Sequence, residues 1–171
     1  MQTNGLIGSP RAIAAYLTTL KPALARATSS RQGWVRDIGV LLEDARQQHT
    51  AIVASSAARV ERAQLILFRE VQREIGPLPQ TPDCEALHRA VTSWLDRQIG
   101  ACELMVDVGL RGDLSRLKEV QGLLAEGRFH ARTFNDEYAR LVAMIRFIAR
   151  DARGARTPNA NRRATRSRTR G

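Results

Sequence analysis

Residues 117–148 read LKEVQGLLAEGRFHARTFNDEYARLVAMIRFI, and their spacing decides the fold class. Leu117, Val120, Leu124, Gly127, Ala131, Phe134, Tyr138, Leu141, Ile145 and Ile148 follow one another at alternating steps of three and four, with no charged residue among the ten. That is the period of one face of an α-helix, whereas a strand would need period two. The pattern predicts a helix over 113–151. Gly122 and Gly127 each cost about 1 kcal/mol against Ala in a helix interior, so a bend there is compatible with the pattern.

Working back from this segment, Gly112-Asp113 reads as a helix stop and restart. Before it, Cys84, Leu87, Val91, Trp94, Gln98, Ala101, Met105 and Val108 form a second stripe, widened by Ile99, Cys102 and Val106. Thr81-Pro82-Asp83 opens that helix with a hydroxyl cap, a proline at the first position and an acid near the positive end of the dipole. Gly76-Pro77-Leu78-Pro79 closes the one before. From Trp34 to Ile75 the stripe Ile38, Leu42, Ala45, His49, Ile52, Ser56, Val60, Ala63, Leu67, Val71 and Ile75 predicts one long helix with a persistent face. A shorter helix is expected from Pro10 through Tyr16 and Leu20, with Pro22 kinking or restarting it and a turn at Ser29, Ser30 and Gly33.

No period-two run of useful length occurs, so the chain reads as all-α. Short connections between long helices favour antiparallel neighbours, which gives an antiparallel four-helix bundle whose regular stripe could also dimerise as a coiled coil. The expected organisation is a flexible N-terminus over 1–9, the bundle over 10–151 and a disordered basic tail over 152–171.

The charge is uneven. Among 171 residues there are 25 Arg, only two Lys and a formal net charge of +10. Residues 152–171 hold seven Arg and no acid, so the bundle itself is nearly balanced and the polycation is a tail. Arg162, Arg163, Arg166, Arg168 and Arg170 are its candidate polyanion-binding residues. A flexible polycation binds nucleic acid or another polyanion through counterion release, without sequence preference. No aromatic residue follows Phe147, which argues against base stacking. The alternative is a solubilising tail. The N-terminal region is also basic: Arg11, Lys21, Arg26, Arg31 and Arg36 precede the first acid, Asp37. An organellar transit segment has such a composition, but the core-like residues around Tyr16–Leu20 favour a first bundle helix with a basic face.

No run of about 18 apolar residues occurs, which predicts no transmembrane segment, and no secretory signal pattern is present. Cys84 and Cys102 share one helix at a separation of about 27 Å, too far apart to bridge each other. A reducing, cytoplasmic compartment is the expectation.

Three constellations were candidates for chemistry. Glu85-Ala-Leu-His88 is the only Glu-x-x-His in the chain, and a di-iron bundle needs two, with further glutamates. Folding the helices back on one another places His49, His88 and His130 at separate levels, so no metal or other cofactor is expected. The same register puts Glu85 and His88 near Asn135 and Tyr138, predicting a hydrogen-bonded polar layer at one end of the bundle. His49, on an apolar stripe, is expected to bond the Tyr16 hydroxyl. Phosphate loops, nucleophile elbows and Cys–His pairs in a catalytic context are absent from the sequence.

Pro79-x-x-Pro82, Leu87-His88, Gly112-Asp113-Leu114 and the leucine-spaced helix with Phe134 and Tyr138 resemble helical modules of uncharacterised bacterial proteins, often envelope-associated, from GC-rich lineages such as actinobacteria and Chloroflexi. The resemblance spans about residues 77–148. It implies a helical bundle and no catalytic activity. The resulting expectation is a non-enzymatic interaction or assembly module with a protein partner or self-association, docking through Leu95, Ile99, Val106 and Leu110. The alternatives are polyanion binding through the tail and a metal-binding or enzymatic bundle centred on Glu85 and His88.

Overall fold

The computed structural model describes residues 9–47 and 50–154. Among these, four long helices carry the fold: α1 (Pro10–Arg46), α2 (Thr50–Ile75), α3 (Glu85–Arg111) and α4 (Leu117–Gly154). Single 3-10 turns at Pro82–Cys84 and Leu114–Arg116 lead into α3 and α4. No strand occurs among the described residues.

The first half of the chain divides differently from the sequence expectation. α1 runs unbroken through Pro22 and through Ser29, Ser30 and Gly33 to Arg46, and a separate helix starts at Thr50, inside the stretch expected to be one long helix. The cause is burial. Ile13, Tyr16, Leu20, Ala23, Ala27, Trp34, Ile38 and Leu41 form one buried face that continues across the weak breakers. Pro22, Ser29 and Gly33 lie on the exposed side of the helix. Packing along a whole face outweighs the local propensity cost, about 1 kcal/mol at Gly33, less at the serines and about 3 kcal/mol at Pro22. His49 lies outside the described residues.

Neighbouring helices are antiparallel. Arg26 reaches Glu74 at 2.5 Å and Trp34 reaches Glu61, so α1 and α2 run in opposite directions. Arg69–Glu103 at 2.5 Å and Gln72–Asp96 at 2.5 Å do the same for α2 and α3. Arg97–Glu126 at 2.9 Å ties α3 to α4. Exposed ion pairs of this kind each contribute no more than about 1 kcal/mol, and they mark the register rather than create it. The stability comes from the interior, where Trp34, Phe68 and Trp94 stack edge to face across α1, α2 and α3 with ring centroids 5.6 and 6.1 Å apart.

α3 occupies the middle of the bundle. It packs against α2 on one side and α4 on the other, whereas α1 packs mainly on α2 and only briefly on α4. All eight residues of its expected stripe are buried. A helix packed on two sides needs a wide apolar face, and that consumes the docking surface expected from the sequence. Leu95 is fully buried and Ile99 nearly so, Val106 is half-buried, and only Leu110 remains exposed. From Glu61 onward the buried face of α2 is Glu61, Gln64, Phe68, Val71 and Ile75; Val71 and Ile75 belong to the expected stripe, whereas Ala63 is exposed and Leu67 half-buried.

The close approach of α3 and α4 rests on Gly127. A Cβ there would lie 2.5 Å from Nε2 of the fully buried Gln98. The turn after α3 needs Gly112, whose φ of 68° is the left-handed cap conformation that glycine adopts without strain. Asp113 then caps the next turn by accepting from the Ser115 backbone N–H at 3.1 Å.

Candidate functional site

The polar layer read from the sequence divides into separate parts. His88 is buried on α3, and its Nδ1 shares a hydrogen bond with the Tyr16 hydroxyl at 2.8 Å. Burial holds the imidazole below the ordinary histidine range and the Tyr16 phenol above its own, so the pair is neutral. The Tyr16 hydroxyl expected to satisfy His49 therefore serves His88. Glu85 faces outward and pairs with Arg89 at 2.7 Å. Asn135 and Tyr138 are exposed on α4, with Tyr138 stacked on Phe134 at 6.1 Å. No hydrogen bond among the described residues joins these two to Glu85 or His88. The tail arginines Arg162, Arg163, Arg166, Arg168 and Arg170 lie outside the described residues.

Asn135 and Tyr138 instead belong to a cleft. Because α1 and α4 meet only briefly, a cavity of about 700 Å³ opens between them. Its floor is Val91 and Trp94 of α3. Leu17, Leu20 and Leu24 form one wall, and Ala131, Phe134 and Tyr138 the other. Part of the regular apolar stripe of α4 thus lines an open trough. Leu117, Val120, Gly127 and Leu141 are buried, while Ala131 and Phe134 are half-buried and Tyr138 is exposed.

The polar lining is one-signed. Lys21, Arg31, Arg128 and Arg132 border the cleft, and no aspartate or glutamate does. In the antiparallel register, Arg31 and Arg128 share the end of the trough nearest Gln98 and Gly127. Arg31 is the deepest of the four. Its Nε–H donates to Gln98 Oε1 at 2.9 Å, and among the described residues no carboxylate pairs with it. Burial, and then the like charge of Arg128, push its pKa below the ordinary arginine value. A half-buried cation facing another cation is an electrostatic cost that an anion would remove.

Two further buried polar contacts lie in the interior. Ser30 donates to Gln64 Oε1 at 2.5 Å. Glu61, fully buried, accepts from the Trp34 indole N–H and lies beside the Cys102 thiol, while its Oε1 has no hydrogen-bond partner among the described residues. Both cysteines are free and buried. The sequence reading counted Arg31 only among the basic residues of the N-terminal region, beside the expected turn, and passed over Glu61, which sits one position past the apolar line it followed. Their signal was present in the positions: Glu61 and Gln64 precede Phe68, Val71 and Ile75 at helical steps.

Among the described residues, no helix is long and apolar enough to cross a membrane, and no three His, Cys, Asp or Glu side chains converge as a metal site would require. Comparison with protein-family models, curated proteins and solved structures gives no match.

Proposed function

We propose that this chain is a non-enzymatic binding module whose working surface is the α1–α4 cleft, and that the cleft receives a small apolar-bodied molecule. The observation that carries this reading is the open stretch Ala131–Tyr138 of an otherwise buried stripe, facing leucines of α1 over a floor of Val91 and Trp94. A volume of about 700 Å³ lies within the range of roughly 300–1,000 Å³ typical of small-molecule sites, which in bundles form between helices. The lining surface is mostly apolar, with polar groups set among the leucine and aromatic walls that can orient a ligand. The reading narrows the interaction module expected from the sequence, because the face assigned to a protein partner is largely core.

The test is a titration with Nile red, a neutral apolar dye whose emission rises and shifts to the blue in an apolar pocket. Saturable one-to-one binding by the full chain is expected. Ala131→Trp fills the trough and should abolish it, whereas Phe147→Ala, on an exposed position outside the cleft, should leave it unchanged. Equal binding by a correctly folded Ala131→Trp protein would refute the reading.

A further inference from the structure

Of the four cations on the cleft only Arg31 is half-buried, and its place at one end of the apolar trough constrains what fits. From Leu17 to Arg31 the trough follows α1 for about 21 Å. Leu17, Leu20, Val91 and Phe134 occupy one stretch, with Lys21 and Arg132 exposed beside it, and Arg31, the one half-buried cation, lies with Arg128 at the other end. A ligand with charges spread along it would place some of them on leucine and phenylalanine. A one-headed molecule would not.

The head is specified by Arg31. Gln98 Oε1 takes its Nε–H, and Gln98 itself is fully buried and wedged against Gly127. The guanidinium plane is therefore fixed from behind, and the terminal edge with its two Nη groups is left for a ligand. Two parallel N–H groups match the two oxygens of one carboxylate. Arg128, exposed and without an ion pair among the described residues, adds a second positive charge at the same end. A monoanion suits a half-buried site better than a dianion, whose desolvation costs more.

Resting on the cleft reading above, we propose that the ligand is a single-chain amphiphilic carboxylate, its head forked by Arg31 and countered by Arg128, its chain laid along the leucine and aromatic walls. Gln98 acts as a positioning residue that orients Arg31.

The experiment is calorimetry of the full chain with oleate, oleyl alcohol and oleyl phosphate, each below its aggregation concentration, beside the Nile red assay. Oleate should bind one to one, about ten- to hundredfold more tightly than the alcohol, the loss expected for one charge-assisted contact. Arg31→Met should reduce oleate to the level of the alcohol and leave the alcohol unchanged. Arg128→Met, at an exposed position with little structural role, should weaken oleate in the same sense if Arg31→Met fails to fold. Dibromostearate should quench Trp94, and Trp94→Phe should lose that quenching. Equal affinity for oleate and oleyl alcohol, or Nile red binding without oleate binding, would overturn the carboxylate inference and leave the cleft reading standing. Tighter binding of the phosphate by tenfold or more would overturn the choice of head. Absence of binding by every probe, Nile red included, would remove both.

Discussion

Replacing Glu61 by Gln should make the protein more stable, and by an amount that depends on pH. Glu61 is fully buried in α2 between α1 and α3. Burial raises its pKa from 4.5 to about 7. The Trp34 and Cys102 contacts oppose that rise, and the charge of Asp37 adds to it. The folded state therefore holds a proton that the unfolded chain gives up near the ordinary carboxylate value. Below about 4.5 both states are protonated and the shift has no effect. Between about 4.5 and about 7 unfolding releases a proton, so stability falls by about 1.4 kcal/mol per pH unit. Above about 7 the loss is complete and amounts to about 3 kcal/mol.

Gln has nearly the same shape, stays neutral, and its Oε1 can accept the Trp34 indole N–H. Glu61→Gln should thus match the parent at about pH 4 and exceed it by about 3 kcal/mol at about pH 8. For a chain of this size that is a rise in Tm of roughly 6–12 °C. Urea unfolding followed by far-UV circular dichroism, at several pH values across this range, measures the difference directly. An unchanged m-value would confirm that stability, and not the extent of unfolding, has moved. Parallel stability–pH curves for the two proteins would refute the argument, since a constant offset cannot come from titration of this carboxyl.

Three other outcomes follow from the same interior. Gly127→Ala should destabilise by about 1–3 kcal/mol, because its Cβ meets the buried Gln98 amide; Gly122→Ala, with open space around it, should stabilise by about 0.5–1 kcal/mol. Paired thermal melts of equal sign would contradict this account of the α3–α4 contact. Tyr16→Phe leaves His88 Nδ1 without its hydrogen-bond partner and should cost about 1–3 kcal/mol by chemical denaturation. In the parent, the lowered His88 pKa means stability is present above the unfolded histidine value and falls as pH drops through and below it; NMR titration of the ring should find its midpoint under the ordinary 6.5. The tail makes a separate prediction: full-length protein should bind heparin or duplex DNA far more weakly at about 200 mM than at about 50 mM salt, and a protein ending at Arg150 should lose the binding, as read by fluorescence anisotropy.

What the sequence made legible, and what it hid, has a common physical cause. The α3 stripe was readable because a helix packed on two sides fills nearly all its core positions with apolar groups, His88 and Gln98 apart. α4 was readable as a helix for the same periodic reason. Period alone cannot distinguish a face pressed against another helix from a face left open, since both demand apolar residues at steps of three and four. The cleft was therefore invisible, although Ala131, Phe134 and Tyr138 were all named. The α1 break was misplaced because Ser29, Ser30 and Gly33 carry local turn signals on the exposed or half-buried side of a helix whose buried side continues without interruption. That one misplacement concealed Arg31. A residue beside a turn is a solvated charge, whereas the same residue on a continuous helix, three positions before Trp34, is carried toward the interior beside Gln98. The candidate site thus arises where two features the sequence presents separately, a basic first helix and an apolar last one, are brought side by side without closing on each other.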